Sequence, residues 1–394
     1  MNRRICIVGS GTAGLHLAYA LKKDFDVTVI SHRTPEQIRN GRIQSTQVHF
    51  GSTLERESRF SMPKWSAQTL IESIHITIGQ QKLFAGMLTE PALSVDQRFY
   101  FSHCMEELEA SKVNILLKKI NDENINEIIE EFDLVIDCTG KKGPLFPFPI
   151  ERDLSPFHIP HRKCIVGYFN GIEPLTPQGI NVAILPGEGE MFEIPALTNK
   201  GPVTILFVMA IQDRKLDVFR AIRSSDEFTL KMRAVLDDFF PEIASRMDKA
   251  NFALNDEKGY LQTAITSVIR KPYTLIKNKL AVGCGDSVFL NDPITGQGCN
   301  LSSYCAEKLY ETLIEFKNDP WNAQLGESYW KRTKPFVKQV TEWTNAMTMP
   351  LPEHVIEQLL QGSKDQTKAD RIAGWFADPR TAYQDIFQAA KSSS

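Results

Sequence analysis

The chain has 394 residues, with 45 basic and 48 acidic side chains and a net charge of −3. A chain of this length buries a large core, most simply as two domains. The near-even charge balance and the lack of a basic run argue against a nucleic-acid surface, and no apolar stretch is long enough to span a bilayer. Arg3 to Val8 is a short apolar run that predicts one buried strand. It leads at once into Gly9-Ser10-Gly11-Thr12-Ala13-Gly14, a G-x-G-x-x-G spacing, and then into Leu15, Ala18 and Leu21 at helical spacing. The first glycine permits a tight turn, the second lets backbone approach a pyrophosphate, and the third lets helix pack closely on strand. The free N–H groups at that helix start attract an anion.

The second strand, Asp26 to Ile30, runs into Ser31-His32-Arg33 with no carboxylate at its end to hold an adenosine ribose. Arg33 either faces a phosphate, stacks on adenine, or is a solvated loop charge. Residues 33–47 are polar, and residues 48–91 read as irregular. Phe99 to Ala110 has a helical pattern. Asp133 to Asp137 is another buried strand, ending in Cys138-Thr139-Gly140 where a bound nucleotide would face the sheet. Residues 141–161 are rich in proline and read as a crossing between domains.

Short β-branched runs between residues 162 and 210, separated by Gly/Pro turns, predict an antiparallel sheet. Residues 214–250 read as helical. Leu280 to Val282 is a strand leading into Gly283-Cys284-Gly285-Asp286, followed by Asp292-Pro293-Ile294-Thr295-Gly296-Gln297-Gly298. A helix is expected from Ser302 to Phe316, and an amphipathic helical tail from Glu353. The two remote glycine segments together outline one long phosphate-containing cofactor, the layout expected for FAD. The seven cysteines form no C-x-x-C pair and read as reduced core thiols. With no zinc site and no secretory signal expected, they suit a cytoplasmic protein.

The order G-x-G-T-A-G, Asp-Cys-Thr-Gly, then Gly-Asp and Asp-Pro-Ile-Thr-Gly-Gln-Gly resembles flavin-dependent monooxygenases of the hydroxybenzoate-hydroxylase fold. Together with Pro186 to Glu190, Glu193-Ile194-Pro195 and Trp343-Thr344-Asn345, it most resembles the FAD-dependent oxygenase component of the two-component styrene and indole monooxygenases. The resemblance implies an α/β protein. It would have a Rossmann-type FAD-binding domain (1–50, 92–165 and 275–345), a mixed or antiparallel β-sheet substrate domain (51–91 and 166–274), and C-terminal helices (346–394).

It also implies roles for matched positions. Gly9, Gly11, Thr12, Ala13 and Gly14 would hold the pyrophosphate, with His32 and Arg33 toward the adenosine. Thr139 and Gly140 would border the cofactor, and Asp286 would bond the ribityl chain, its alternative being an N-cap. Pro293, Gly296, Gln297 and Gly298 would lie beside the isoalloxazine. Arg42, Asp96 and Arg98 match positions around the flavin, or else form structural ion pairs. The chain contains no Asp-Gly dipeptide, a motif that single-component hydroxylases of this fold use for FAD and NAD(P)H. This agrees with a separate NADH-dependent flavin reductase that supplies reduced FAD.

In the resembled family O2 adds to reduced FAD to give a C4a-hydroperoxide that epoxidises an electron-rich C=C bond, so no catalytic triad is expected. The pocket stretch Gln44-Ser45-Thr46-Gln47 places Ser45 and Gln47, with Ala92 from a second segment, at positions that follow the indole pattern and not the styrene one. A glutamine offers an acceptor to an indole N–H. Indole is therefore the expected substrate, with styrene and aryl sulfides secondary. Styrene epoxidation is the alternative. A halogenase lacks support because no Trp-x-Trp-x-Ile-Pro motif occurs.

Overall fold

The computed structural model describes residues 3–121 and 123–388. Two sheets organise it. The first has six strands in the order Tyr273–Ile276, Lys279–Gly283, Leu134–Asp137, Arg4–Val8, Asp26–Ser31, Asn114–Leu117. All its pairings are parallel except that of Tyr273–Ile276 with Lys279–Gly283. The central strands are continuous apolar runs because a parallel sheet is covered on both faces. Ile5, Cys6, Ile7, Val29, Ile136 and Val282 lie in one core.

Register matters more than strand count for the site. Val8 pairs with Asp137, and Asp137 pairs with Gly283. The turns that leave these strands, at Gly9, Cys138 and Cys284, therefore emerge side by side at the carboxyl edge of the sheet. That edge is where ligands bind in open α/β folds.

The second sheet runs Ala253–Leu254, Lys163–Asn170, Gly201–Ala210, Gly189–Thr198, Gly179–Leu185, Leu70–Ile78, Gln81–Leu93, with Tyr260–Ala264 also paired to Lys163–Asn170. It is antiparallel except where Leu70–Ile78 meets Gly179–Leu185 in parallel. Helix Ser225–Phe239 covers one face through Phe228, Met232 and Leu236. The other face packs Phe84, Phe192 and Phe207 against Trp343 of helix Ala323–Met347 and Ile372 and Trp375 of helix Gln366–Ala377. The C-terminal helices thus complete the core of this sheet. No helix among the described residues is long and apolar enough to cross a membrane, and all seven cysteines are buried and free.

Two expectations about local structure need correction. Residues 48–91 are not irregular: they hold helix Gly51–Arg59 and the strands Leu70–Ile78 and Gln81–Leu93. Strand Leu70–Ile78 lies inside the sheet, so its polar residues face protein. Thr77 bonds Asn181, and Ser73 and His75 reach the Pro177 carbonyl. Polar and apolar residues alternate strictly from Ser73 to Ile78, which is itself the period-two signal of a strand, and here both faces are buried. Residues 214–224 are not helical. Asp217 draws the chain into a loop by accepting from Lys163 and Arg220, and the helix starts only after its cap, Ser224. The expected boundaries at 91/92, 165/166 and 274/275 each fall inside a strand.

Candidate functional site

The glycines of the two segments divide by what a side chain would meet. At Gly9, with φ +119°, a Cβ would lie 2.2 Å from the Cys138 carbonyl oxygen, and at Gly14 it would lie 2.0 Å from the Gly9 oxygen. These two allow the protein to pack on itself. At Gly285 a Cβ would lie 2.8 Å from the Ala13 methyl. The two remote glycine segments are therefore in contact. Gly11, Gly140 and Gly296 are different, since nothing lies within 4 Å of a Cβ at any of them, and Gly298 meets only Asp286 Oδ1 at 3.9 Å. These four leave a cradle along the sheet edge.

Both helices that start here have open N-termini. Thr12–Leu21 and Gly298–Glu315 lack a side-chain cap and any acidic residue in the first turn, so their free N–H groups suit an anion. Asp286 caps no helix, and among the described residues no protein donor reaches its carboxylate. Burial pushes that carboxyl up to about 6, against the pull of Lys141. A half-buried acceptor without a protein donor suits a polyol. The cradle, the N-termini and this carboxylate fit an extended dinucleotide such as FAD.

The sign of the Asp286 effect is testable. The unfolded carboxyl ionises near 3.8 and the folded one near 6, so above that range the folded state carries the cost of a buried charge. Asp286→Asn is expected to stabilise the apoprotein above pH 6 by about 1 kcal/mol after allowance for screening. It should also weaken FAD binding by roughly tenfold. Thermal midpoints and FAD titrations of the variant check both.

Several side chains assigned to the cofactor point elsewhere. The Thr139 hydroxyl donates to Asp137 at 2.6 Å, and Asp137 also takes the N–H groups of Thr139 and Leu145. Thr139 thus shapes the turn and leaves Gly140 facing the cradle. Gln297 is buried, and its amide donates to the carbonyls of Thr295 and Phe376, anchoring the C-terminal helix. Arg98 forks onto Asp96 at 2.7 Å and Asp256 at 2.8 Å and also donates to the Gly41 carbonyl. Asp96 further caps helix Gln97–Ala110. This closed triad ties the first domain to the loop after Ala253–Leu254. Arg42 lies 4.5 Å over the Tyr260 ring and donates to the Tyr260 carbonyl, leaning on the second sheet.

The turn after strand Asp26–Ser31 is cationic. Ser31 stands where a carboxylate was missing, and its hydroxyl meets Ser10 at 2.9 Å. Partial burial, then the charges of Arg33, Lys142 and Lys119, push the His32 imidazole down. Pro293 opens a short turn capped by Asp292, which ends at Gly296 in the left-handed region.

The pocket segment is held by backbone contacts. His49 pairs with Leu93, and Ser94 donates to the Gln47 carbonyl at 2.7 Å. Asn300 grips the same segment through the Phe50 N–H, the Thr53 hydroxyl and the Val48 carbonyl. Gln44 and Ser45 are exposed. Gln47 is 3 % exposed, and neither its amide nitrogen nor its oxygen has a partner among the described residues. Ala92 has no accessible surface and packs with Val48, Phe50 and Ile294, so it backs the segment and does not line an open wall.

Sequence reasoning missed Lys141, whose ammonium donates to the Gln44 carbonyl at 3.0 Å beside Asp286. Its place directly after Gly140 was the available signal. A separate hollow of about 450 Å3 is lined by Gly171, Glu173, Arg246 and Asp248. Its cation is already paired with Glu193 and Glu242, and it lies away from every glycine turn described above.

Residues 140–246 match the family described as "Styrene monooxygenase A putative substrate binding domain". The chain is 31% identical to the styrene monooxygenase StyA of a Pseudomonas species over 391 residues, 96% of this chain and 94% of that one. Among solved structures, it resembles Pseudomonas aeruginosa PqsL in complex with 2-aminobenzoylacetate, with a TM-score of 0.68 and 15% identity over 92% of this chain and 99% of that one. It also resembles a triple mutant of the flavin-dependent brominase Bmp2, with a TM-score of 0.70 and 15% identity over 99% and 98% of the two chains. At such identities the two structures speak for the fold alone.

Proposed function

The chain belongs to the styrene monooxygenase family of FAD-dependent oxygenases, and from that premise we propose that it epoxidises indole at the 2,3-bond, the product rearranging to indoxyl and on to indigo. It is a FAD-dependent monooxygenase that uses O2. The chemistry supplied by reduced FAD when bound is activation of O2, one oxygen atom going to the alkene and the other to water. The chain's own residues bind, orient and exclude water.

In this reading Gly9 to Gly14 receive the pyrophosphate, with His32 and Arg33 near the adenosine. Asp286 takes the ribityl hydroxyls, and Pro293, Gly296 and Gly298 face the isoalloxazine. Val48, Phe50, Ile294 and Trp343 form one apolar cluster with Ala92, which keeps water from the reacting atoms. The chain receives its FAD already reduced from a separate NADH-dependent reductase, which agrees with the missing Asp-Gly dipeptide.

The observation that carries the substrate choice is Gln47, buried with its carboxamide unpartnered. A buried amide without a partner is costly, and an indole N–H supplies the donor its oxygen lacks. Styrene has no such donor. Gln47→Val is expected to lower kcat/KM for indole roughly tenfold and to leave styrene unchanged or improved. The competing reading, a styrene epoxidase, is favoured by the identity to StyA along nearly the whole chain. Turnover of both substrates with a flavin reductase separates them: a higher kcat/KM for styrene rejects indole as the main substrate.

A further inference from the structure

Four neighbouring parallel strands, Leu134–Asp137, Arg4–Val8, Asp26–Ser31 and Asn114–Leu117, end at the same edge of the first sheet. Their register brings the exits together. Asp137 pairs with Val8, Val8 with Ile30, and Ser31 with Leu117, and the Lys118 N–H donates to the Ser31 carbonyl at 2.9 Å. The four residues that follow each strand include no acid. They do include His32, Arg33, Lys118, Lys119 and Lys141, and Lys142 comes next. In a chain whose net charge is −3, this edge gathers cations.

Two of these cations are already matched. Lys118 pairs with Glu127 at 3.6 Å. Lys141 donates to the Gln44 carbonyl and faces Asp286. Arg33, Lys119 and Lys142 have no ion-pair partner among the described residues, and Arg33 Nε is buried without any hydrogen-bond partner. Lys119 and Lys142 are exposed. After partial burial, these same three charges push the His32 imidazole down, so all three act on one turn. Asp137 does not offset them from the surface, because it is buried and held by the Thr139 hydroxyl and the Leu145 N–H.

The strand order sets these cations around the cradle. Gly11 leaves strand Arg4–Val8, between the exit that carries Lys142 and the exit that carries Arg33, with Lys119 on the strand beyond. Like charges on exposed lysines repel one another and gain nothing from the fold. They do project a field into solvent, which reaches an anion before contact and raises its encounter rate.

We infer that Arg33, Lys119 and Lys142 form a capture surface for the anionic pyrophosphate of FAD, with Lys119 and Lys142 acting before contact to set its association rate. This rests on the FAD reading of the cradle. Under the proposed supply of FAD by a separate reductase, the cofactor must be captured from outside the chain, and a long-range field shortens that step. Charges of this kind change association and its salt dependence, while the contacts inside the cradle set dissociation.

The test is stopped-flow mixing of apoprotein with free FAD, without reductase, followed by flavin fluorescence at several salt concentrations. Lys119→Glu combined with Lys142→Glu is expected to slow association roughly tenfold in low salt, to flatten its salt dependence and to leave dissociation unchanged. Both side chains are exposed, so the fold tolerates the exchange. Lys249→Glu combined with Lys331→Glu makes the same change in net charge at exposed positions on other elements, and association should stay at the unmodified rate. Association that ignores salt in the unmodified protein, that does not slow in the first pair, or that slows as much in the second, overturns the inference. A first pair that slows turnover with reductase but not capture of free FAD also overturns it, and turns the cations toward the reductase. Unmodified protein that binds no FAD removes the cofactor reading itself, whereas FAD binding at a salt-independent rate removes only the capture surface.

Discussion

Gly9→Ala and Gly14→Ala should each destabilise the protein by about 3 kcal/mol or more, while Gly11→Ala folds normally and loses FAD. All three glycines belong to one motif and would look equivalent in an alignment. The structure separates them by their neighbours. A Cβ at Gly14 strikes a carbonyl oxygen at 2.0 Å, and one at Gly9 strikes another at 2.2 Å from a backbone with φ +119°. Both carbonyls belong to turns pinned at the sheet edge, where the Gly9 N–H bonds Ile30 and the Cys138 N–H bonds Val8, so they cannot swing aside. At Gly11 the methyl enters empty space, so the apoprotein's stability should change by no more than about 0.5 kcal/mol. That space is the place assigned to the pyrophosphate, and FAD affinity should fall at least about tenfold. Melting curves of the three apoproteins and FAD titration of Gly11→Ala decide the matter. Normal FAD binding by Gly11→Ala would move the pyrophosphate elsewhere.

Removing the guanidinium in Arg98→Met should cost about 3 kcal/mol, because two carboxylates are left without their cation in a largely buried site. Asp96 is 2 % exposed and Arg98 8 %, so water cannot take over the lost interactions. Asp256 is half-buried and its carboxyl, raised by burial but lowered further by Arg98, lies below its ordinary range. Its contribution to stability is therefore present above the unfolded carboxylate value and fades as pH falls through the folded one. The loss in Arg98→Met should shrink in acid accordingly. Urea midpoints measure this, and FAD affinity at low denaturant separates the two roles. A variant of unchanged stability that no longer binds FAD would return Arg98 to the cofactor.

The sheet edge was legible in the sequence because backbone requirements leave glycines behind. Gly9, Gly14 and Gly285 stand where no side chain fits, and Gly11, Gly140, Gly296 and Gly298 where a ligand would lie. The parallel strands were legible because burial on both faces makes them uniformly apolar. Strand Leu70–Ile78 was legible in the alternation from Ser73 to Ile78, and only the partners of its buried Ser73, His75 and Thr77, about a hundred residues away, were not. The same remoteness hid the partners of Gln297 and Arg98, the Phe376 carbonyl and Asp256, whereas Thr139 turns to Asp137 only two residues away.

The contact between Gly285 and Ala13 has a consequence for synthesis. The first glycine turn is made well before the turn that packs against it and the helix start at Gly298, which lie about 270 residues further along the chain. Until then the central strand Leu134–Asp137 lacks its neighbour Lys279–Gly283, and helix Thr12–Leu21 lacks its companion. Closing a loop of this length carries an entropic cost repaid only by the contacts it completes. A growing chain should therefore not retain FAD until the segment through Gly298 has been made.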